Sequence, residues 1–240
     1  MHVFTIDLQR IVQSGRDDFD FHDPQASSIR QVFAERISSV PLEGLCLKIS
    51  AGKTAARGAY VSSGVRILKV KNVRGSGIRW DEAFYVTPGF YAAAKKAHVE
   101  EDDILMLCSA HNKIYIGRCD IVDGLPGHVP DGRCCAVGEL IIIRADKTKV
   151  LPEYLLTYLR LPVVQAEVSR MVKGQSAHLY SRDLKDLRVV VPSLPKQKEI
   201  AALSMNAQAE HNRRILEAKQ MLEENRKELE RLIHLLEDKS

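Results

Sequence analysis

The last 45 residues constrain the architecture most. From Lys196 to Ser240 there is neither glycine nor proline, and strong helix formers dominate. Ile215, Ala218, Leu222, Asn225, Leu229, Leu232 and Leu236 alternate in steps of three and four, and the residues between them are mostly charged. That is a heptad seam on a helix. Ile200, Leu203 and Ala207 continue the rhythm upstream, one position out of frame. The two four-residue steps from Ala207 through His211 to Ile215 form a stutter, not a break. Such a helix extends roughly 60 Å at 1.5 Å per residue. A narrow apolar stripe of that length needs another helix to cover it, and a lone Asn225 in the seam fixes register or partner at a cost in stability. The tail at 196–240 is therefore expected to pair, with homodimerisation as its simplest outcome.

The preceding chain has a different character. Residues 1–40 are expected to form a helical segment packed on the next domain, with Ile29, Val32, Phe33 and Ile37 giving a short amphipathic helix over Ser28 to Ile37. Residues 41–195 alternate short apolar runs with glycine-rich turns. Val65–Val70, Asp103–Cys108, Ile114–Val122, Cys134–Arg144 and Leu187–Val191 are strand candidates. Pro152 opens a helix running from Glu153 to Arg160, and a second helix spans Val163–Val172. Together these predict a mixed α/β domain followed by a long coiled-coil-forming helix.

Charge is unevenly spread. The tail holds nine basic and nine acidic residues, and residues 1–50 hold five and seven, whereas 51–195 hold 21 and 15. The middle domain is where a polyanion would be met. No run of about 18 apolar residues exists to span a membrane. Asp7 interrupts the stretch an export signal would need, and five cysteines without a Cys-x-x-Cys pair suit a reducing compartment, so a cytoplasmic location is expected.

Catalytic signatures are missing. Gly52-Lys53-Thr54 resembles the end of a phosphate-binding loop, but Leu47 stands where the first glycine is required. No Gly-x-Gly-x-x-Gly follows a strand, the Asn/Asp-Pro-Pro-Tyr/Phe tetrapeptide of adenine amino-methyltransferases is absent, and no Ser/His/Asp or Cys/His signature stands out. His128, Cys134 and Cys135 lack the paired spacing of a zinc site, so no metal is expected. Glu100 to Asp103 are expected to form a solvated turn entering a strand.

The remaining polar residues gather in turns. Lys71, Asn72, Arg74 and Arg79 bracket one turn, and His111, Asn112, Lys113 and Tyr115 occupy another. Lys173, Gln175, Ser176 and His178 form a third, and Lys53 and Arg57 complete the candidate set. Lys and Arg neutralise phosphates, while Arg, Asn and Gln pair with base edges. These residues are the candidate DNA contacts.

The order of motifs resembles a known family. The stretch from Gly64 to Val73 (GVRILKVKNV) is similar to the glycine, strand and basic-Asn start of a target recognition domain. Asp102-Asp103-Ile104-Leu105 resembles its Gly-Asp-Ile-Leu strand entry, with Asp102 in place of glycine. Lys173-Gly174-Gln175-Ser176, then Leu194-Pro195-Lys196-Gln197-Lys198-Glu199-Ile200, resemble its ending. Over roughly Val40 to Leu236 the chain resembles the specificity subunit of type I restriction–modification systems. The resemblance implies a non-catalytic subunit reading part of a split target in double-stranded DNA. It implies a methyltransferase partner that holds S-adenosylmethionine, no cofactor in this chain, and a restriction subunit as a further candidate partner. Full-length members carry two recognition domains and two such helices, whereas this chain shows one of each, as a half-size form would. A protein-binding assembly adaptor that oligomerises through its helix is the alternative.

Overall fold

Two apolar runs, Ile-Leu-Met-Leu and Leu-Ile-Ile-Ile, are buried at every position. A strand covered on both faces reads as continuous hydrophobicity, not alternation, and these two strands form the centre of the body. The computed structural model describes residues 39–174 and 177–237. The expected N-terminal helix over 28–37 lies outside the described residues.

The strands in chain order are β1 (Ser39–Pro41), β2 (Cys46–Ala51), β3 (Tyr60–Val61), β4 (Val65–Leu68), β5 (Tyr85–Val86), β6 (His98–Val99), β7 (Ile104–Leu107), β8 (Cys119–Ile121), β9 (Cys134–Ala136), β10 (Leu140–Ala145) and β11 (Arg188–Val190). The helices are α1 (Pro88–Ala93), α2 (Leu125–His128), α3 (Pro152–Leu159), α4 (Pro162–Met171), α5 (Ser181–Leu184) and α6 (Leu194–Glu237). A four-stranded antiparallel sheet has the order β2-β10-β7-β8. A five-stranded sheet has the order β3-β5-β4-β9-β6, with β4 and β9 parallel. Strands β1 and β11 pair separately.

Register explains the packing. Leu140 faces Leu107 and Ile142 faces Leu105, and these four join Val65, Ile67, Leu68, Cys134, Cys135 and Ala136 in one core between the two large sheets. Their neighbours Ile141, Ile143, Met106 and Ile104 point the other way and are also fully buried. That second face is the side on which α3 lies against β8 and β10. The body is thus a sheet–sheet–helix stack.

Several sequence expectations are adjusted. The candidate over Ile114–Val122 shortens to β8, because Gly117 adopts φ +91 and the chain before it coils into a 3-10 turn at Lys113–Tyr115. The candidate over Cys134–Arg144 is two strands in different sheets, divided by a turn at Gly138-Glu139. In the acidic turn, Asp103 is not solvated: it is fully buried and holds the Arg144 guanidinium through two bonds of 2.8 Å.

The helix α6 begins with its first turns tied to the body. Gln197 is fully buried; its Oε1 accepts from Leu151 N at 2.8 Å, and its Nε2 donates to Pro192 O at 2.9 Å and Lys149 O at 3.2 Å. The chain separates into one compact unit ending at Ile200 and a second beginning at Ala201. From Ala201 onward the helix is a separate unit. Its seam is open to solvent at Leu203, Ile215, Leu222, Leu229 and Leu232, and so are Leu216, Met221 and Ile233. Ala207, Ala218 and Asn225 are exposed too, and Ile200 is half-buried; the side chain of Leu236 lies outside the described residues. Ion pairs such as Glu210–Arg214 and Arg213–Glu217 at four-residue spacing support the helix itself.

Candidate nucleic-acid interface

The candidate turns leave different strands, yet backbone hydrogen bonds bring them to one pole of the body. Parallel β4 and β9 end side by side, where Val137 N donates to Leu68 O at 3.0 Å. Cys108 N, just past β7, donates to Glu139 O at 2.9 Å, and Lys53 N, just past β2, donates to Ala136 O at 3.0 Å. Leu179 N donates to Cys108 O at 2.8 Å, and Ser109 bridges His178. The turns holding Lys53, Lys71, His111 and His178 therefore emerge together.

The turn after β4 is built on buried groups. Asn72 is fully buried: its Oδ1 accepts from Lys69 N at 2.8 Å, and its Nδ2 donates to Arg79 O and Glu82 O at 2.7 and 2.8 Å. It is thus a brace for the turn, and this corrects its expected place among base-contacting residues. Beyond it, the carboxylate of Asp120 accepts from the backbone amides of Arg74, Gly75 and Gly77 at 2.6, 2.7 and 2.8 Å. Arg160 closes the cluster with a 2.5 Å bond to Asp120 Oδ1. Three amides converging on one buried charge, itself paired, fix a turn far better than the turn's own bonds would. Gly75 and Gly77, at φ +83 and +117, supply the backbone this requires. The exposed rim carries Lys71, Arg74 and Arg79; Arg74 lies 3.6 Å from Glu82, and Arg79 lies 2.6 Å from Asp81. Half-buried Lys69 sits 4.0 Å from the Tyr60 ring centroid and 4.5 Å from that of Phe84.

The second turn exposes His111, Asn112, Lys113, Ile114 and Tyr115. Asn112 Oδ1 accepts from Ile114 N at 3.1 Å, so this asparagine commits its acceptor to the turn. The Arg118 guanidinium covers the Tyr115 ring at 4.5 Å and its stem lies against Gly75, joining the second turn to the first. In the third turn Lys173 and His178 exchange two backbone bonds of 2.9 Å, Lys173 pairs with Asp183 at 2.9 Å, and His178 packs on Tyr180. Gln175 and Ser176 lie outside the described residues. Lys53 and Arg57 are exposed on the loop after β2, with the Lys53 amine 5.9 Å from the Phe90 ring. That loop runs close against the β9–β10 turn: a side chain at Gly52 would meet Ala136 O at 2.3 Å, and one at Gly138 would meet Thr54 Oγ1 at 2.4 Å.

Sequence reasoning missed Asp120, Arg160, Arg118 and Ile114. Asp120 sits in an apolar strand run, and a charge at such a place signals a buried partner; the identity of that partner depends on the tertiary fold. Among the described residues no group of three or more His, Cys, Asp or Glu is gathered to hold a metal. Burial pushes the Cys108, Cys119 and Cys135 thiols up to about 12, which keeps them protonated and unreactive as nucleophiles. No helix among the described residues is long and apolar enough to cross a membrane.

No protein-family model matches the chain, and no curated protein does. Solved structures do. One, from work on complex assembly and conformational transition of the type I R-M system, aligns with TM-score 0.55 and 17% identity over 94% of this chain and 52% of its own. The HsdS subunit from Thermoanaerobacter tengcongensis aligns with TM-score 0.52 and 16% identity over 80% of this chain and 44% of its own. The chain spans about half the length of these structures, and it has their fold: a mixed α/β body with a long C-terminal helix.

Proposed function

We propose that the chain is a DNA-recognition subunit of a type I restriction–modification complex, without catalysis of its own. The observation that carries this is the convergence of four cationic turns on one pole through backbone hydrogen bonds. The fold likeness to specificity subunits supports it. Lys53, Arg57, Lys71, Arg74, Arg79, Lys113 and Lys173 would meet phosphates, which position a protein on a duplex without reading it. Side chains at the turn tips would meet base edges. The Arg74–Glu82 and Arg79–Asp81 pairs are no obstacle, because exposed pairs of this kind contribute only about 0.2–1 kcal/mol and exchange readily for phosphate.

The helix beyond Ile200 would join this body to a second helix, supplied by another copy, and to a methyltransferase subunit that binds S-adenosylmethionine. Two bodies so joined would read two half-sites. The domain plan proposed is an N-terminal segment, a recognition body through Ile200, and a docking helix.

The test is the salt dependence of duplex binding. The triple variant Lys71→Ala, Arg74→Ala, Lys113→Ala is expected to bind more weakly. The slope of its log affinity against log salt should flatten by about 0.9 for each phosphate that is no longer neutralised. An unchanged slope would remove these turns from the interface. An adaptor that binds only protein would show no salt-dependent duplex binding in either form.

A further inference from the structure

Ile114 is 78% exposed, beside turns that carry cations, aromatic rings and the carboxylates of Asp81, Glu82 and Asp183. Its turn is held at several points. Asn112 caps it through Ile114 N, Tyr115 N donates to Asn112 O at 3.1 Å, and Ile116 N donates to Lys113 O at 3.0 Å. Ile116 and Gly117 behind it are buried. Gly117 O accepts from Gln165 Nε2 at 3.0 Å, and a side chain at Gly117 would meet Gln165 Oε1 at 2.8 Å, so α4 fixes the base of the turn closely. The tip is thus presented in a set shape before any ligand arrives, which lowers the ordering cost of binding.

An aliphatic side chain neither neutralises a phosphate nor pairs with a base donor or acceptor. The apolar feature of a base edge in the major groove is the C5 methyl of thymine. We propose that Ile114 is a specificity-determining residue that packs on the methyl group of a thymine in the target. This rests on the DNA-recognition function above. The surroundings fit the role. Arg118 and Tyr115 link the tip to the turn clamped by Asp120, and the bridge between Ser109 and His178 links it to the third turn, so basic side chains flank it on both sides. Phosphate contacts made from those flanks would direct the apolar tip into the groove between them.

The experiment begins with duplexes selected from a random pool by the full chain. Each thymine of the enriched motif is then replaced by deoxyuridine, which lacks only the methyl. One replacement is expected to weaken binding by the wild-type chain about fourfold, the effect of burying one carbon. Ile114→Ala is expected to bind the thymine duplex at least fourfold more weakly and to bind the thymine and uracil forms equally. Ile114→Val should retain the preference. The assignment is overturned if Ile114→Ala keeps the full uracil penalty, or binds the thymine duplex as tightly as wild type. It is also overturned if Ile114→Ala weakens binding while no single methyl matters, the behaviour of a wedge between base steps. Matching thermal melts of the variants exclude misfolding. A pool that yields no motif for the wild-type chain would instead refute the recognition function itself, and Ile114's role with it.

Discussion

Asp102 shows how a single residue carries a backbone requirement. It sits at φ +68 between Glu101 and the buried Asp103, in the turn that feeds β7. Glycine reaches this left-handed backbone without strain. Aspartate tolerates this region better than most residues, and here its carboxylate also meets Lys147 at 2.6 Å. That exposed ion pair adds little, so backbone strain decides the outcome of substitution. Asp102→Ala is expected to be less stable than Asp102→Gly by about 1 kcal/mol, measured by urea denaturation. Equal stabilities would show that the turn relaxes out of the left-handed region. The strand entry was legible in the sequence, but the conformation of its turn was not.

Elements differ in how much of them could be read. Helices α3 and α4 begin at Pro152 and Pro162, where proline's fixed φ and missing N–H suit the first turn, and the expected boundaries lie within a residue or two of those observed. The buried strands β7 and β10 were legible as apolar runs. The segment before β8 was not, because Ile114 and Tyr115 imitate a strand and only Gly117 signals the turn. The motif Leu-Pro-Lys-Gln at the start of α6 was recognisable as a pattern, while its physical reason is tertiary. Gln197 supplies an acceptor to Leu151, at the N-terminus of α3, and donors to two carbonyls. Gln197→Leu preserves bulk but strands those groups in the interior. A loss of about 2 kcal/mol is expected in thermal or urea unfolding of the full chain, and a loss under about 0.5 kcal/mol, below the usual net contribution of one hydrogen bond, would mean that the clasp is dispensable.

At the level of the whole molecule, the body and the helix treat their apolar residues differently. The body buries most of its large apolar residues, on both faces of its central sheet, and leaves few, such as Leu47 and Ile114, in solvent. The helix leaves Leu222, Leu229 and Leu232 at 69%, 60% and 49% exposure. The paired substitution Leu222→Glu, Leu229→Glu is expected to convert a self-associating chain into a monomer by sedimentation, with the thermal transition of the body unchanged. A wild-type chain that sediments as a monomer at all concentrations would show that this stripe does not pair with a second copy.

The Asp120 clamp has a consequence for how such a surface changes over time. It takes hold of the amides of residues 74, 75 and 77, which every amino acid except proline possesses. The clamp therefore makes no demand on the side chain at 74, so long as the two glycines stay. Under the proposed recognition function, exchanging that side chain swaps a letter on a fixed typeface: a new target comes within reach without re-solving the folding problem.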